Sequence, residues 1–293
     1  MTMHWLAKAP MYDAVADLWG VGKSTVHKHL HATVRVLRRR LQHLLEFPSG
    51  NELHRIMNDF SFYTHGIPNV AGALDGCFIP MFKATGPFGF RYWCYKNFCS
   101  IILLAVCDAR GVFTWIDVGR PGCFGDAATF NFSSLLNQLQ SNRVLTPTQT
   151  IEGVTMRPVL LADSAFPFLP FVMKAYEPEP QNNTKESLYN YCHIQGRRIV
   201  ESAFGRLKGR WWILRQSRLR DPKFMRDVTI VCCFLHNFCE RGQHECRKTW
   251  RRNCRRVNTQ NDTDNRRHQG AEDAGAAAVR EALAEHLWNK RNL

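Results

Sequence analysis

The sequence lacks any run of apolar residues long enough to cross a bilayer, which takes about 20 residues in a helix. The apolar stretch Ile101–Cys107 is far shorter than this, so we expect no membrane-spanning segment and no membrane partner. The first residues, Met1–Trp5, also lack the pattern of a secretory signal peptide. We therefore expect an intracellular protein.

Acidic residues are scarce relative to basic ones. The 293-residue chain has 39 Lys and Arg against 25 Asp and Glu, which gives a formal net charge of +14 and a sequence pI near 9.5. Such an excess favours a polyanionic partner, nucleic acid first and an anionic membrane second. Hydrophobic residues at 45% and aromatic residues at 12% are sufficient for a core. The composition thus predicts a folded protein that binds nucleic acid.

The eleven cysteines lack the paired Cys-x-x-Cys spacing that is typical of structural zinc sites. An odd number of irregularly spaced cysteines in an intracellular chain favours free, mostly buried thiols. A zinc site could be imagined from four residues, which are His236, Cys239, His244 and Cys246. The neighbouring Cys232–Leu235 has the apolar character of a core segment, and we therefore disfavour zinc.

Near the N-terminus, residues 12–45 show helical spacing on both sides of a short turn, Gly20–Gly22. A helix, a tight glycine-containing turn and a basic helix form the layout of a helix-turn-helix. We assign residues 1–48 to this segment and take Lys23, Lys28 and Arg38 as candidate nucleic-acid contacts. A plain helical hairpin that packs on the main domain is the alternative.

Composition also sets the other predicted boundaries. The cluster Phe47–Asn51 contains helix breakers, and Phe60–Asn69 carries Gly66 and Pro68, so we interpret residues 49–69 as a linker. Residues 70–240 form the predicted main domain. Residues 241–293 form a predicted basic tail, because Arg247–Arg267 is strongly basic and poor in large apolar residues. An alanine-rich terminal helix is expected over Glu272–Trp288.

The main domain begins with an apolar strand, Val70–Pro80, that has Asp75 in its middle. A buried ionised carboxylate is costly unless it is paired or bound to a metal, so Asp75 needs a partner. Val159–Pro167 repeats this design, with an apolar strand that ends at Asp163. The pattern indicates two acids at comparable places in two strands.

Further elements of this domain follow from local patterns. Strands Cys99–Cys107 and Val112–Val118 predict a hairpin around a turn. Asp126 is well placed to cap a helix that runs to about Asn137, and Phe168–Tyr176 predicts a short helix. The order of these elements predicts an α/β fold with a mixed sheet flanked by helices.

A helix over Ile199–Trp211 carries the third acid, Glu201. Its apolar stripe is formed by Val200, Ala203, Phe204 and Leu207. Glu201 lies on a neighbouring strip among basic residues, and we take four of these as candidate phosphate contacts: Arg198, Arg206, Lys208 and Arg210. A solvated, salt-bridged helix face is the alternative interpretation.

Adjacent parallel strands would bring Asp75 and Asp163 side by side, and the helix would deliver Glu201 opposite them. Three converging carboxylates repel one another and are stable together only with hard cations, which prefer oxygen ligands. A pair of Mg²⁺ or Mn²⁺ ions in such a site activates water and stabilises the leaving oxygen in phosphodiester cleavage. The acids therefore predict a divalent-metal nuclease site.

Five motifs occur in the order that is typical of one family. They are Asp75–Pro80, Leu104–Gly111, Ala162–Pro167, Arg198–Trp211 and Leu235–Asn237. This set resembles the PIF/Harbinger transposases over about residues 70–240. The resemblance implies an RNase H-like fold and a DDE nuclease site that uses Mg²⁺ or Mn²⁺. It places the catalytic and metal-binding triad on Asp75, Asp163 and Glu201.

The resemblance also implies an accessory acid and a partner. Asp126 matches a further acid that is common in the family, so we include it as an accessory metal ligand. Harbinger transposases act with a separate Myb-like DNA-binding protein, which implies such a partner here. The oligomeric state stays open.

The sequence departs from the family pattern beside each acid. Cys77 and Phe78 stand where the family usually has Thr and His, and Gly122–Asp126 replaces a Gly-Ser-x-His-Asp segment. Three further departures surround Asp163, namely Ala162, Ala165 and Phe166. No acid is lost, so metal binding is expected to survive, whereas placement of the DNA strand and efficient transposition are in doubt.

From these observations we expect a nuclear, metal-dependent DNA endonuclease that derives from a transposase, with some protein also in the cytoplasm. The main alternative is a catalytically silent DNA-binding or adaptor protein that retains the fold. An RNase of the same fold is a third option, since fold alone does not fix the substrate.

Overall fold

A mixed β-sheet lies at the centre of the computed structural model, which describes residues 1–84, 88–242 and 273–291. The strands in chain order are β1 (Val70–Pro80), β2 (Ser100–Cys107), β3 (Phe113–Pro121), β4 (Gln149–Ile151), β5 (Val154–Met156), β6 (Val159–Leu161) and β7 (Val172–Met173). The five-stranded sheet has the order β3-β2-β1-β6-β7, and β4 and β5 form a separate hairpin. Strand β1 pairs antiparallel with β2 and parallel with β6, so the sheet changes direction at β1.

Nine helices cover the sheet in the part of the chain that the structure describes. In chain order they are α1 (Thr2–Lys8), α2 (Tyr12–Trp19), α3 (Lys23–Arg40), α4 (Gly50–Tyr63), α5 (Gly125–Asn131), α6 (Ser134–Gln140), α7 (Lys185–Arg210), α8 (Pro222–Arg241) and α9 (Ala274–Arg291). Short 3-10 turns lie at Gln42–Leu44, Gly89–Tyr92, Gly122–Phe124 and Trp212–Leu214. None of the described helices combines the length and the apolar character that crossing a membrane requires.

Alternation along the central strands explains the two hydrophobic layers. Ala73 and Leu103 belong to the core that α7 and α8 share, whereas Leu74 and Leu104 belong to the core under α5 and α6. Successive strand residues point to opposite faces, so each strand feeds both layers. The result is a mixed sheet flanked by helices, which confirms the predicted α/β class and is consistent with an RNase H-like nuclease fold.

The N-terminal segment has the predicted order of helix, turn and basic helix. Gly20 has φ of +60° at the end of α2, a conformation that favours glycine. Helix α3 packs on α8, and Arg38 Nη1 lies 2.6 Å from Asp227 Oδ1. This segment therefore packs on the main domain as the alternative hairpin interpretation expected, and it keeps the layout of a helix-turn-helix.

Three local predictions differ from the structure. Most of the predicted linker, residues 49–69, is helix α4, whose apolar face contributes buried Leu53, Ile56, Met57 and Phe60. The predicted short helix over residues 168–176 instead contains strand β7, which pairs with β6. The predicted helix from Asp126 to about Asn137 is broken into α5 and α6, with Ser133 capping α6.

The C-terminal helix docks against the main domain. The expected terminal helix is confirmed as α9, which packs against α7 and buries Val279, Leu283 and Leu287. Lys185 at the start of α7 pairs with Glu281 and Glu285. The predicted basic tail, Arg247–Arg267, lies outside the described residues, and so do His244 and Cys246 of the disfavoured zinc site.

The His236-Asn237 pair fixes α8 to the central hairpin. His236 Nε2 lies 2.9 Å from the Gly111 carbonyl oxygen, and Asn237 Oδ1 accepts the Phe113 amide at 2.8 Å. Both side chains are fully buried, and burial lowers the pKa of His236 to about 4. These are structural residues with satisfied hydrogen bonds.

Candidate active site

Asp75 and Asp163 lie at the same level of two neighbouring parallel strands. The register pairs Ala73 of β1 with Leu161 of β6. Each acid comes two residues later along the chain, so Asp75 lies within β1 and Asp163 lies just beyond the end of β6. The Oδ1 atom of Asp75 accepts the amide of Gly76 at 2.8 Å. The Oδ1 atom of Asp163 accepts the amide of Ser164 at 2.8 Å. The chain therefore positions both carboxylates by its own adjacent backbone.

Helix α7 brings Glu201 to these strands. Its apolar stripe, which includes Val200 and Leu207, packs on the sheet. Close approach requires glycine at Gly196, because a Cβ there would overlap the side chain of Leu161. The Glu201 carboxylate lies 2.7 Å from Arg197 Nη1, one helical turn earlier. The contact between Gly196 and Leu161 thus brings α7, and with it Glu201, close to the strands. Gly196 lies outside the Arg198–Trp211 motif that contains Glu201.

Asp126 joins the site from the first turn of α5. A Cβ on Gly76 would overlap the Asp126 carboxylate, so the glycine that follows Asp75 makes room for this acid. Asp126 does not cap the helix, since the N-cap is Phe124. Its Oδ1 atom is buried and has no hydrogen-bond partner among the described residues. Burial and the charge of Asp163 raise the pKa of Asp126 to about 6, and Lys96 opposes this effect.

Electrostatics tie the acids into one cluster. Burial raises the pKa of Asp75 well above its ordinary value, the Arg197 guanidinium lowers it, and the charges of Asp126, Asp163 and Glu201 raise it further. We call these four residues the carboxylate cluster. The structure therefore places the other three predicted acids near enough to Asp75 for each of them to raise its pKa.

The donor chemistry of this cluster fits a hard divalent cation. All of its metal-binding atoms would be carboxylate oxygens, which Mg²⁺ and Mn²⁺ prefer. The Oδ1 atom of Asp126 is buried without a hydrogen-bond partner among the described residues, and a bound ion would supply one. In the arrangement seen here, no three potential ligands in the described chain lie close enough to form a metal site. A cation would therefore require the carboxylates to move closer together, and it would compete with Arg197 for Glu201.

The basic residues predicted on α7 separate into two groups. Arg206 Nε lies 2.9 Å from Glu240 Oε1, and Arg210, which is buried, binds the same carboxylate. These two arginines connect α7 to α8, so the structure does not support their predicted role as phosphate contacts. Arg198 is exposed, and Lys208 Nζ donates to the carbonyl of Phe78 on β1 at 2.9 Å.

The basic residues predicted in the N-terminal segment are also in different settings. Lys28 is exposed on α3, whereas Lys23 pairs with Asp13 at 2.9 Å and Arg38 pairs with Asp227. Because the Arg38 pair joins α3 to α8, Arg38 serves packing in this structure. Lys28 and Lys23 keep exposed charged groups that could contact phosphate.

Two charged residues of the site, Arg197 and Lys96, are absent from the predicted contacts. Arg197 pairs with Glu201, whereas the predicted contact Arg198 faces solvent. Lys96 lies near Asp126, Cys77 and Lys208, and burial lowers its pKa. The aromatic-rich context of Lys96 was visible in the sequence, but its distance of many residues from every acid motif gave no signal that it would join them.

Comparison with known proteins adds a family and relatives. Residues 74–237 match the family described as "DDE superfamily endonuclease". "Protein ALP1-like" of Arabidopsis thaliana is 27% identical over 243 residues, which cover 81% of this chain and 58% of that protein. "Putative nuclease HARBI1" of Bos taurus is 25% identical over 227 residues, covering 76% of this chain and 61% of that protein; the Xenopus laevis protein of the same name matches equally.

The chain spans about three fifths of the length of these curated relatives. No solved structure matches this chain. The matched family segment contains Asp75, Asp126, Asp163 and Glu201, so the carboxylate cluster lies wholly within the region of similarity.

Proposed function

Because the chain belongs to the DDE superfamily endonuclease family, we propose that it is a transposase-derived nuclease that hydrolyses DNA phosphodiester bonds with divalent metal ions. The relatives named as nucleases agree with the resemblance to Harbinger-type proteins. The observation that carries the proposal is the position of the carboxylate cluster. Asp75 and Asp163 each follow a paired residue of β1 and β6 by two positions, Asp126 lies against Gly76, and Glu201 on α7 contributes to the raised pKa of Asp75.

In this proposal Asp75, Asp163 and Glu201 hold the metal, and Asp126 is the accessory ligand. When bound, Mg²⁺ or Mn²⁺ would supply Lewis-acid activation of a water nucleophile and neutralise charge on the leaving oxygen. Asp75 and Asp163 are oriented for this role by the amides of Gly76 and Ser164. Lys96 lowers the pKa of Asp126 electrostatically, and in this proposal its ammonium group attracts a phosphate to the cluster.

DNA is the proposed substrate, and the nucleus, with some protein in the cytoplasm, is the proposed location. The net charge of +14 supports a nucleic-acid partner, with Lys23, Lys28 and Arg198 as exposed candidates for phosphate contacts. A separate Myb-like DNA-binding protein is the proposed protein partner, on the basis of the Harbinger resemblance alone. The proposed substrate, location and protein partner do not depend on the proposed metal-dependent hydrolysis.

One observation favours the rival function of a catalytically silent adaptor. The Arg197–Glu201 ion pair satisfies the third acid of the triad without a metal, as a chain that keeps only the scaffold would also do. The two functions differ in metal binding, because an adaptor has no need for a divalent cation at the cluster.

The test is nicking of supercoiled plasmid DNA in Mg²⁺ or Mn²⁺ by the full chain and by Asp163→Asn. Glu52→Gln is the matched control, because Glu52 is an exposed acid on α4 that pairs only at the surface with Arg55. We expect nicking by the wild type and by the control, and loss of nicking in Asp163→Asn and in EDTA. Equal nicking by Asp163→Asn would reject this site, and no nicking with DNA binding retained would favour the adaptor.

A further inference from the structure

A surface beside the carboxylate cluster presents large aromatic rings to solvent. We use the name aromatic loop for residues 88–98, which precede β2 in the chain segment between β1 and β2. Phe90 is 72% exposed, Trp93 is 52% exposed and Tyr95 is 51% exposed. Exposed apolar side chains are ordinary when they are scattered singly, but several on one short segment beside a site indicate a binding surface.

The backbone of the aromatic loop is held in place. Gly89–Tyr92 forms a 3-10 turn, and Trp93 pairs with Cys99 through an isolated antiparallel bridge. The amide of Cys94 donates to the Phe98 carbonyl at 2.9 Å. Cys94 and Cys99 are buried. These two residues therefore anchor the part of the loop that carries Tyr95 and Lys96.

The loop contacts the strand that carries Asp75. The Tyr95 ring lies 5.4 Å from the Phe78 ring in a T-shaped arrangement, and Phe78 belongs to β1. Lys96 Nζ lies 5.7 Å from the centre of the Phe78 ring and 5.5 Å from that of Tyr95. The same lysine interacts electrostatically with Asp126. One ammonium group therefore links the aromatic loop to the carboxylate cluster.

Cations accompany the rings at this end of β1. Arg91 lies over Phe88 with 5.4 Å from its guanidinium carbon to the ring centre, and Arg220 lies 4.8 Å from the centre of Phe82. Aromatic faces combined with cations are the composition of surfaces that bind single-stranded nucleic acid, where bases stack on rings and phosphates meet positive charge. A double helix offers no free base faces, so such rings gain little from intact duplex.

We propose that the aromatic loop binds unpaired nucleotides of the DNA strand next to the phosphate at the carboxylate cluster. In this role Phe90, Trp93 and Tyr95 stack on exposed bases, and Lys96 contacts the backbone between these bases and the cluster. The choice of DNA as the nucleic acid rests on the proposed function. The surface selects DNA that is unpaired at the cleavage position over a continuous duplex.

The test measures binding by fluorescence anisotropy with the full chain in EDTA, where no cleavage takes place. The three probes are a fluorescein-labelled oligothymidylate, an abasic strand of the same length and charge, and a duplex of the same length. We expect the oligothymidylate to bind more tightly than the abasic strand. We expect Trp93→Ala, Phe90→Ala and Tyr95→Ala each to weaken oligothymidylate binding by roughly 5-fold to 150-fold, the loss of one stacked base, with little effect on the abasic strand.

Two variants control for folding and for exposed rings in general. Trp93→Phe keeps a ring in the loop and should retain most of the affinity. Phe62→Ala removes a ring that is 80% exposed on α4, outside the loop, and should leave binding unchanged. Equal affinity of the wild type for the oligothymidylate and the abasic strand would overturn the proposal. It would also be overturned if the wild type bound the duplex tightly and Trp93→Ala weakened duplex binding as much as oligothymidylate binding.

A failure of this proposal is distinguishable from a failure of the nuclease proposal. Binding in EDTA requires no catalysis, so a catalytically silent chain with a working aromatic loop would still prefer bases over the abasic strand. Conversely, plasmid nicking that depends on Asp163, together with no base preference in the binding assay, would retain the nuclease and reject the loop as a base-binding surface.

Discussion

Arg197 supplies positive charge inside the carboxylate cluster. Its guanidinium pairs with Glu201 at 2.7 Å and lowers the pKa of Asp75 against the effect of burial. Two acids, Asp126 and Asp163, add negative charge to the same site. In the metal-free protein this arginine therefore offsets part of the repulsion among the acids, and a bound cation would take over that task.

We predict that Arg197→Ala lowers the free energy of unfolding of the metal-free protein by about 2–3 kcal/mol, somewhat below the value for removing one partner of a fully buried pair. The physical reason is that Glu201 and Asp75 lose their nearest compensating charge. The loss should shrink when Mn²⁺ is present, because the ion compensates the same carboxylates. Urea unfolding in EDTA and in Mn²⁺ measures both quantities.

The chain offers a matched control in Arg55→Ala. Arg55 pairs with Asp59 at the same i,i+4 spacing, but its side chain is 42% exposed, against 19% for Arg197. An exposed pair contributes about 0–1 kcal/mol, and no dependence on Mn²⁺ is expected. Equal losses in the two variants, unaffected by Mn²⁺, would contradict the assigned role of Arg197.

The sequence supports prediction of the acids better than prediction of the basic residues around them. Asp75 and Asp163 can be recognised because burying an unpaired carboxylate in an apolar segment is costly. Glu201 can be recognised because it lies beside the apolar stripe of a helix. Arg197 and Arg198 are one turn before Glu201 at spacings of four and three, and both spacings bring side chains together on a helix. The choice between them depends on which side of α7 faces the sheet, which local spacing did not resolve.

At the scale of elements, β1, β2, β3 and β6 were predicted, whereas β4, β5, β7 and the helix between α3 and β1 were not. The apolar residues of α4, Leu53, Ile56, Met57 and Phe60, follow helical spacing. The glycines and prolines on either side were given more weight than this spacing, although Gly50 begins the helix and Gly66 and Pro68 follow it. The sequence does not reveal strand β7, because its two paired residues are too few to show alternation.

Helix α9 connects the end of the described chain to the helix that carries Glu201. Leu283 is fully buried, and Arg280 lies over the rings of Tyr176 and Phe168 at 4.1 and 4.3 Å. Since α9 packs on α7, it stabilises the N-terminal part of the helix whose other half contributes to the site.

We predict that Leu283→Ala lowers the free energy of unfolding by about 2–5 kcal/mol, the range for removing a buried leucine side chain. The reason is a cavity between α9 and α7. Asn289→Ala on the exposed end of the same helix should change stability by less than about 0.5 kcal/mol. Thermal and urea unfolding measure the difference; a loss for Leu283→Ala no larger than for Asn289→Ala would indicate that α9 is not docked in solution.

At the scale of the whole molecule, the fold concentrates negative charge at one place in a strongly basic chain. The net charge is +14, yet Asp126, Asp163 and Glu201 all lie near enough to Asp75 to raise its pKa. These acids are far apart in sequence, so the cluster exists only when β1, β6, α5 and α7 are assembled. A ligand that binds the cluster therefore binds the native state and not the unfolded chain, which couples metal binding to global stability.

We therefore predict that Mn²⁺ stabilises the wild-type protein by about 2.7 kcal/mol when the free ion is present at roughly 100 times its dissociation constant. Asp163→Asn should lose most of this stabilisation because it removes a ligand, whereas Glu52→Gln should keep it, since Glu52 lies on the surface of α4. Calorimetric unfolding over a series of Mn²⁺ concentrations measures the effect without any nuclease assay. Stabilisation of the same size in Asp163→Asn would place the ion elsewhere on the chain. No stabilisation of the wild type would mean that Arg197 and Lys96 balance the acids without a metal, as expected of a scaffold that does not use metal chemistry.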